Sequence, residues 1–105
     1  MGGSEVSRAG RGSVYVHVLC AILRVLLGRA PEVRPVEHEE KIWYKISSLY
    51  GHCGNARTVK RALELLEKQG VVEMREYQNM RLVRLKEEVS EDMRTVLDAL
   101  CPYFR

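Results

Sequence analysis

An α+β fold is what the order of hydrophobic patterns along this chain predicts, and three observations carry that expectation. Four stretches repeat apolar residues at helical spacing, over about 14–27, 36–50, 55–69 and 90–104. Between the third and the fourth, Val71 to Glu76 and Met80 to Lys86 read as two strands about the polar turn Tyr77-Gln78-Asn79. Glycines at positions 28, 51 and 70 stand where three of the helical stretches end, the place at which a left-handed residue closes a helix. With 105 residues the chain is expected to form one domain around a single core.

Residues 1–12, MGGSEVSRAGRG, hold four glycines and two serines and have no apolar period, so they read as a flexible arm. Ser13 suits the N-cap of a first helix that runs to about Leu27 and is followed by Gly28 and Pro31. That helix is apolar on nearly every side, which requires burial on more than one face, within the domain or against a second copy of the chain. His17 falls inside it and reads as a hydrogen-bonded core or interface residue. From Arg29 to Pro35 two prolines favour an extended connection in which Val33 can add a short strand. A second helix is expected from Val36, with Glu37, Glu39 and Glu40 at its positive end and Ile42, Trp43, Ile46, Leu49 and Tyr50 along it. In this reading Trp43 belongs to the core and Tyr44 to the helix surface.

Gly51-His52-Cys53-Gly54 reads as a turn, after which Asn55 caps a third helix that Gly70 terminates. Val59, Ala62, Leu63 and Leu66 share one side of that helix, while Arg57, Arg61, Glu64 and Lys68 lie opposite. The last helix starts after Ser90, with Glu91 and Asp92 in its first turn and Met93, Val96, Leu97, Leu100 and Phe104 as its stripe until Pro102 ends or kinks it.

The run Asn55-Ala56-Arg57-Thr58-Val59-Lys60-Arg61-Ala62-Leu63-Glu64-Leu65-Leu66-Glu67-Lys68-Gln69-Gly70-Val71-Val72, set after a helix and a tight turn and before a hairpin, resembles the recognition helix and first wing strand of winged helix-turn-helix transcription regulators. The resemblance covers roughly residues 37–86. It implies a winged helix with a three-helix core, a β-hairpin wing over about 71–86 and an additional C-terminal helix, the helix-turn-helix spanning about 36–69 and the domain 13–105. It also implies sequence-specific binding of double-stranded DNA, because the major groove admits one α-helix and is read by outward side chains near that helix's N-terminus. Arg57 and Arg61 occupy such positions, and a guanidinium fork matches guanine O6 and N7. The resemblance places Thr58 and Lys60 at the flanks, against phosphate, with Lys68 further along. If the hairpin is a wing, Arg75, Gln78, Asn79 and Arg81 meet the DNA backbone or the neighbouring minor groove. Arg8 and Arg11 on the arm are minor candidates. Glu64 interrupts the cationic stripe, and its expected role is an ion pair with Lys68, the other being acceptance of a hydrogen bond from cytosine N4. The alternative reading of the same fold is a protein-interaction module in a larger assembly.

Charge is distributed as a polyanion-binding surface requires. Residues 1–28 carry +2, residues 29–50 carry 0, residues 51–86 carry +4 and residues 87–105 carry −3, for a net +3. Apolar residues make up 46% and charged residues 30%, which supports a core and excludes global disorder. Cys20, Cys53 and Cys101 are odd in number and widely spaced, so no disulfide framework or zinc site is signalled, and a reducing cytoplasm is expected. An excess of Arg over Lys (12 to 5) and of Glu over Asp (12 to 2) leans toward a heat-adapted source. Val14 to Leu27 mimics a secretion signal, but it is shorter than the ~18–20 residues of a membrane span and Arg24 interrupts it, so no targeting or membrane segment is assigned. No catalytic constellation, cofactor motif or metal spacing is read, and His52-Cys53 is taken as a turn without a ligand role. The expected partners are double-stranded DNA and a second copy of the chain packed through the first and last helices.

Overall fold

The chain reverses direction twice through pairs of residues whose backbone is left-handed, and those reversals set its sheet. The computed structural model describes residues 15–102. Within them, α1 covers 15–26 and is followed by β1 (Val36–His38), β2 (Lys41–Lys45), α2 (Ile46–Leu49), α3 (Ala56–Lys68), β3 (Val72–Tyr77), β4 (Met80–Leu85) and α4 (Glu91–Leu100). The strands form one antiparallel sheet in the order β1-β2-β4-β3, giving an α+β fold of four helices and four strands among the described residues. No helix there is long and apolar enough to cross a membrane. The arm with Arg8 and Arg11, the cap at Ser13, and Phe104 lie outside the described residues.

The helix expected from Val36 is instead a β-hairpin followed by a single helical turn. Glu39 and Glu40, with φ of 53° and 62°, form its two-residue turn, and Val36 pairs with Trp43, Glu37 with Ile42 and His38 with Lys41. Short apolar runs fit either period, and here the β-branched and aromatic content of Val36, Ile42, Trp43 and Tyr44 prevails because β4 supplies a partner strand. Tyr44 and Lys45 pair with Val83 and Leu82 of β4. Tyr44 is therefore buried core, not helix surface, whereas Ile42 is 51% exposed. Val33 does not form a strand: its N–H donates to the Ala30 carbonyl (3.0 Å), closing a turn, and its side chain is buried.

Alternation along the strands gives the sheet two different faces. The registers put Tyr44, Val83, Met74, Val72 and Leu85 on the face covered by helices. There they join Leu19, Ile22 and Leu23 of α1, Ile46 and Leu49 of α2, Val59, Ala62, Leu63 and Leu66 of α3, and Leu97 of α4. Five residues of α1 are buried and only His17 and Arg24 are exposed, so the domain itself covers most of that helix, and His17 is not a core residue. On the opposite face Trp43 and Leu82 are also wholly buried. Their cover is polar. The guanidinium of Arg75 lies 5.0 Å and that of Arg84 5.6 Å from the Trp43 ring, Trp43 Nε1 donates to the His38 carbonyl (3.0 Å), and the His38 ring is 4.0 Å from that of Tyr77. Ion pairs of Arg75 with Glu39 and of Arg84 with Glu73 complete the lid. The two hairpins are thereby fastened to each other.

Cys20 in α1 and Cys101 just after α4 form a disulfide with Cα atoms 5.4 Å apart, which overturns the expectation of unpaired thiols. Their separation of 81 residues carries no local signal, and the pairing follows from where α4 docks. Cys53 is the free thiol among the described residues and is buried in the turn before α3. Burial pushes its pKa up to about 11 from 9.0, since the apolar surroundings oppose the thiolate. Next to it, Gly54 has Val18 of α1 so close that a Cβ there would lie 2.9 Å from Val18 Cγ2.

The turn before α3 yields two expectations. Gly54→Ala is expected to destabilise the protein by about 1–3 kcal/mol through overpacking, with part of the loss recovered when Val18→Ala is added, as read from urea midpoints. Equal midpoints for wild type and Gly54→Ala would show that α1 does not press on this turn. At pH 8 the native Cys53 thiol is expected to react with iodoacetamide roughly a hundredfold more slowly than in the unfolded chain, the ratio set by the thiolate fractions. Because the folded pKa lies above the unfolded one, Cys53 stabilises the fold fully below pH 9 and loses that contribution as pH rises through about 11. Equal reaction rates in folded and unfolded protein would contradict this placement.

Candidate nucleic-acid interface

Asn55 starts α3 in the way its side chain allows: Oδ1 accepts from the Thr58 N–H (2.9 Å) and from the Thr58 hydroxyl (3.0 Å). The Thr58 hydroxyl proton is thus engaged in the cap, which leaves its oxygen only as an acceptor. No acidic residue occupies the first turn, so nothing on the helix itself offsets the positive end of its dipole. At the other end Gly70 takes φ 74° and the chain enters β3.

Burial of Val59, Ala62, Leu63 and Leu66 turns Arg57, Lys60, Arg61, Glu64 and Lys68 to solvent, all of them exposed. The four cations of this arc enter no ion pair within the described residues, and neither does Glu64. The expected Glu64–Lys68 pair is therefore not made, in keeping with the small gain such an exposed i, i+4 pair offers, about 0.3–0.5 kcal/mol. The Tyr15 hydroxyl of α1 donates to the Arg61 carbonyl at 3.4 Å.

The β3–β4 hairpin contributes unequally. Lys60 and Glu64 of α3 share a shallow depression with Arg81 of β4, floored by Ile46, Leu63 and Met74. Arg81 is exposed and pairs in register with Glu76, on the helix-bearing face of the sheet. Arg75 pairs with Leu82 and so points to the other face, where Glu39 and the Trp43 ring hold it. Gln78 and Asn79 form the turn at the tip, exposed, with φ of 49° and 63°. The structure thus brings Arg57, Lys60, Arg61, Lys68 and Arg81 to one surface and sets Arg75 apart from it. Three participants escaped sequence reasoning. Met74 and Ile46 floor the depression from separate elements, which no periodicity within α3 reports, and Glu39, read as a helix-dipole partner, is the carboxylate that claims Arg75.

No set of three His, Cys, Asp or Glu side chains among the described residues is placed to hold a metal ion. His52 is exposed while its neighbour Cys53 faces inward. Comparison with known protein families, with curated proteins and with solved structures returns no match for this chain.

Proposed function

We propose that this domain is a winged helix that binds double-stranded DNA with α3 in the major groove, acting as a transcriptional regulator without a catalytic step. The observation that carries the reading is the exposed cationic arc of Arg57, Lys60, Arg61 and Lys68 on a helix whose other side is locked into the core. The order of elements supports it: a helix, the β1–β2 hairpin, a one-turn helix, a tight turn, α3, then a second hairpin whose returning strand β4 pairs with β2. Arg57 and Arg61 reach base edges from the first two turns, Lys60 and Arg81 meet the phosphates of one strand across the depression, and Gln78 and Asn79 lie against the backbone beyond. Arg75 has no part in this interface, since leaving Glu39 and Trp43 would unroof a buried ring.

Val96 and Leu100 of α4, 46% and 42% exposed, support self-association through that helix, which would present two copies of α3 to half-sites about one helical turn apart. A cytoplasmic setting joins this reading through heat adaptation, because intracellular disulfides such as Cys20–Cys101 are common in hyperthermophiles.

Fluorescence anisotropy with a labelled random-sequence duplex tests the proposal. Binding is expected to fall steeply with salt, with a log–log slope near −0.9 per neutralised phosphate. Lys60→Ala and Arg81→Ala should each reduce the slope by about one, while Arg57→Ala with Arg61→Ala should weaken discrimination between defined duplexes that differ in guanine positions, at unchanged circular dichroism. Absence of binding at low salt, or variants indistinguishable from wild type, would move the domain to the protein-interaction reading.

A further inference from the structure

We infer that Glu64 is a specificity-determining residue that selects cytosine in the DNA strand facing the middle of α3. The inference rests on the DNA-binding reading above and adds to it the identity of one base. Glu64 lies within the arc that carries Arg57, Lys60, Arg61 and Lys68, with Glu67 at its edge, and it is the acidic residue that shares the depression with Lys60 and Arg81. Against a polyanion a carboxylate in that place is unfavourable, yet neither Lys60 nor Lys68, each one turn away, pairs with it, and neither does Arg81. Its oxygens are therefore unclaimed, and a carboxylate can only accept hydrogen bonds.

An acceptor-only group discriminates sharply among the major-groove edges. Guanine presents N7 and O6 and thymine presents O4, all acceptors that repel a carboxylate. Adenine offers its N6 amine but sets the N7 acceptor beside it, against the second carboxylate oxygen. Cytosine offers its N4 amine with no acceptor of its own on that edge, so it alone meets the carboxylate without a penalty. The position on the helix agrees, since Glu64 stands two turns along the same line from Arg57, a rise of ~10 Å that spans about three base pairs. Arg57 and Glu64 would then read guanine and cytosine about three steps apart.

The experiment is selection of bound sequences from a random duplex pool by the full chain, its Glu64→Ala variant and its Glu64→Gln variant, with folding checked by circular dichroism. The wild type is expected to enrich cytosine at one position by roughly tenfold or more over the other bases. Glu64→Ala should lose the preference at that position alone and bind random duplex more tightly at low salt, with an unaltered salt slope. Glu64→Gln, whose amide both donates and accepts, should shift the preference there from cytosine to adenine. Sites from both variants identical to those of the wild type would overturn the inference while leaving the DNA-binding reading intact. Failure of the wild type to enrich or bind any duplex would remove that reading, and this inference with it.

Discussion

Everything outward on α3 depends on what is inward. Val59, Ala62, Leu63 and Leu66 are 0–3% exposed, and burying side chains of this kind contributes roughly 1.5–3 kcal/mol for each large one. No rearrangement of surface charges competes with that sum, because an exposed ion pair contributes at most about 1 kcal/mol. The rotation of α3 about its axis is therefore set by its apolar side, and the cations take the positions that remain. This is why Arg57, Lys60, Arg61 and Lys68 stand unpaired toward solvent although acidic residues are plentiful elsewhere in the chain. The arrangement leaves positive charge uncompensated on one surface, which is unfavourable for the isolated domain and favourable once a polyanion covers it.

The sheet performs a similar sorting with a period of two. Arg75 and Arg81 lie six residues apart on either side of the Gln78-Asn79 turn, and composition treats them alike. The register Arg75↔Leu82 and Glu76↔Arg81 sends them to opposite faces. Arg81 meets α3, whereas Arg75 becomes a structural residue over Trp43. Its guanidinium gains a cation–π contact and an ion pair at once, and Glu39 gains a reason to occupy a left-handed turn position that ordinarily favours Asn or Gly. One pairing thus explains the position of an arginine and the identity of a turn residue on another strand pair.

Legibility in the sequence follows the range of the interactions involved. The limits of α3 and the start of α4 are readable because their signals are local: Asn55 and Ser90 cap the first turns through their own side chains, and Gly70 takes the left-handed conformation its position requires, whereas α4 ends at Leu100, short of the expected 104. The β3–β4 hairpin is readable because its alternation is regular and its turn polar. Residues 36–45 are not, since Ile42, Trp43, Ile46 and Leu49 fit a helical wheel, and only the pairing of Tyr44 and Lys45 with β4 reveals the strand. The Cys20–Cys101 bond is invisible for the same reason, being a consequence of docking across 81 residues. For the candidate site, the cationic arc is legible from α3 alone. The separation of Arg81 from Arg75, and the unpaired state of Glu64, needed the register and the geometry.

These long-range contacts form a mechanical series that ends at α3. The disulfide ties the end of α4 to α1, with Leu97 as the buried residue of α4 that packs beside it in the core. Val18 of α1 in turn lies against Gly54, where the chain is about to be capped by Asn55, and the Tyr15 hydroxyl touches the Arg61 carbonyl about two turns further on. Closing so long a loop by a covalent bond restricts mainly the unfolded chain, by about 4–5 kcal/mol on the loop-entropy account. In the folded chain its effect is positional, because it fixes α1 as the abutment against which the turn and the first half of α3 rest. The cationic arc is thereby backed by a support assembled from both halves of the sequence, and under the proposed reading such support would favour docking in a DNA groove, since binding then loses less conformational entropy.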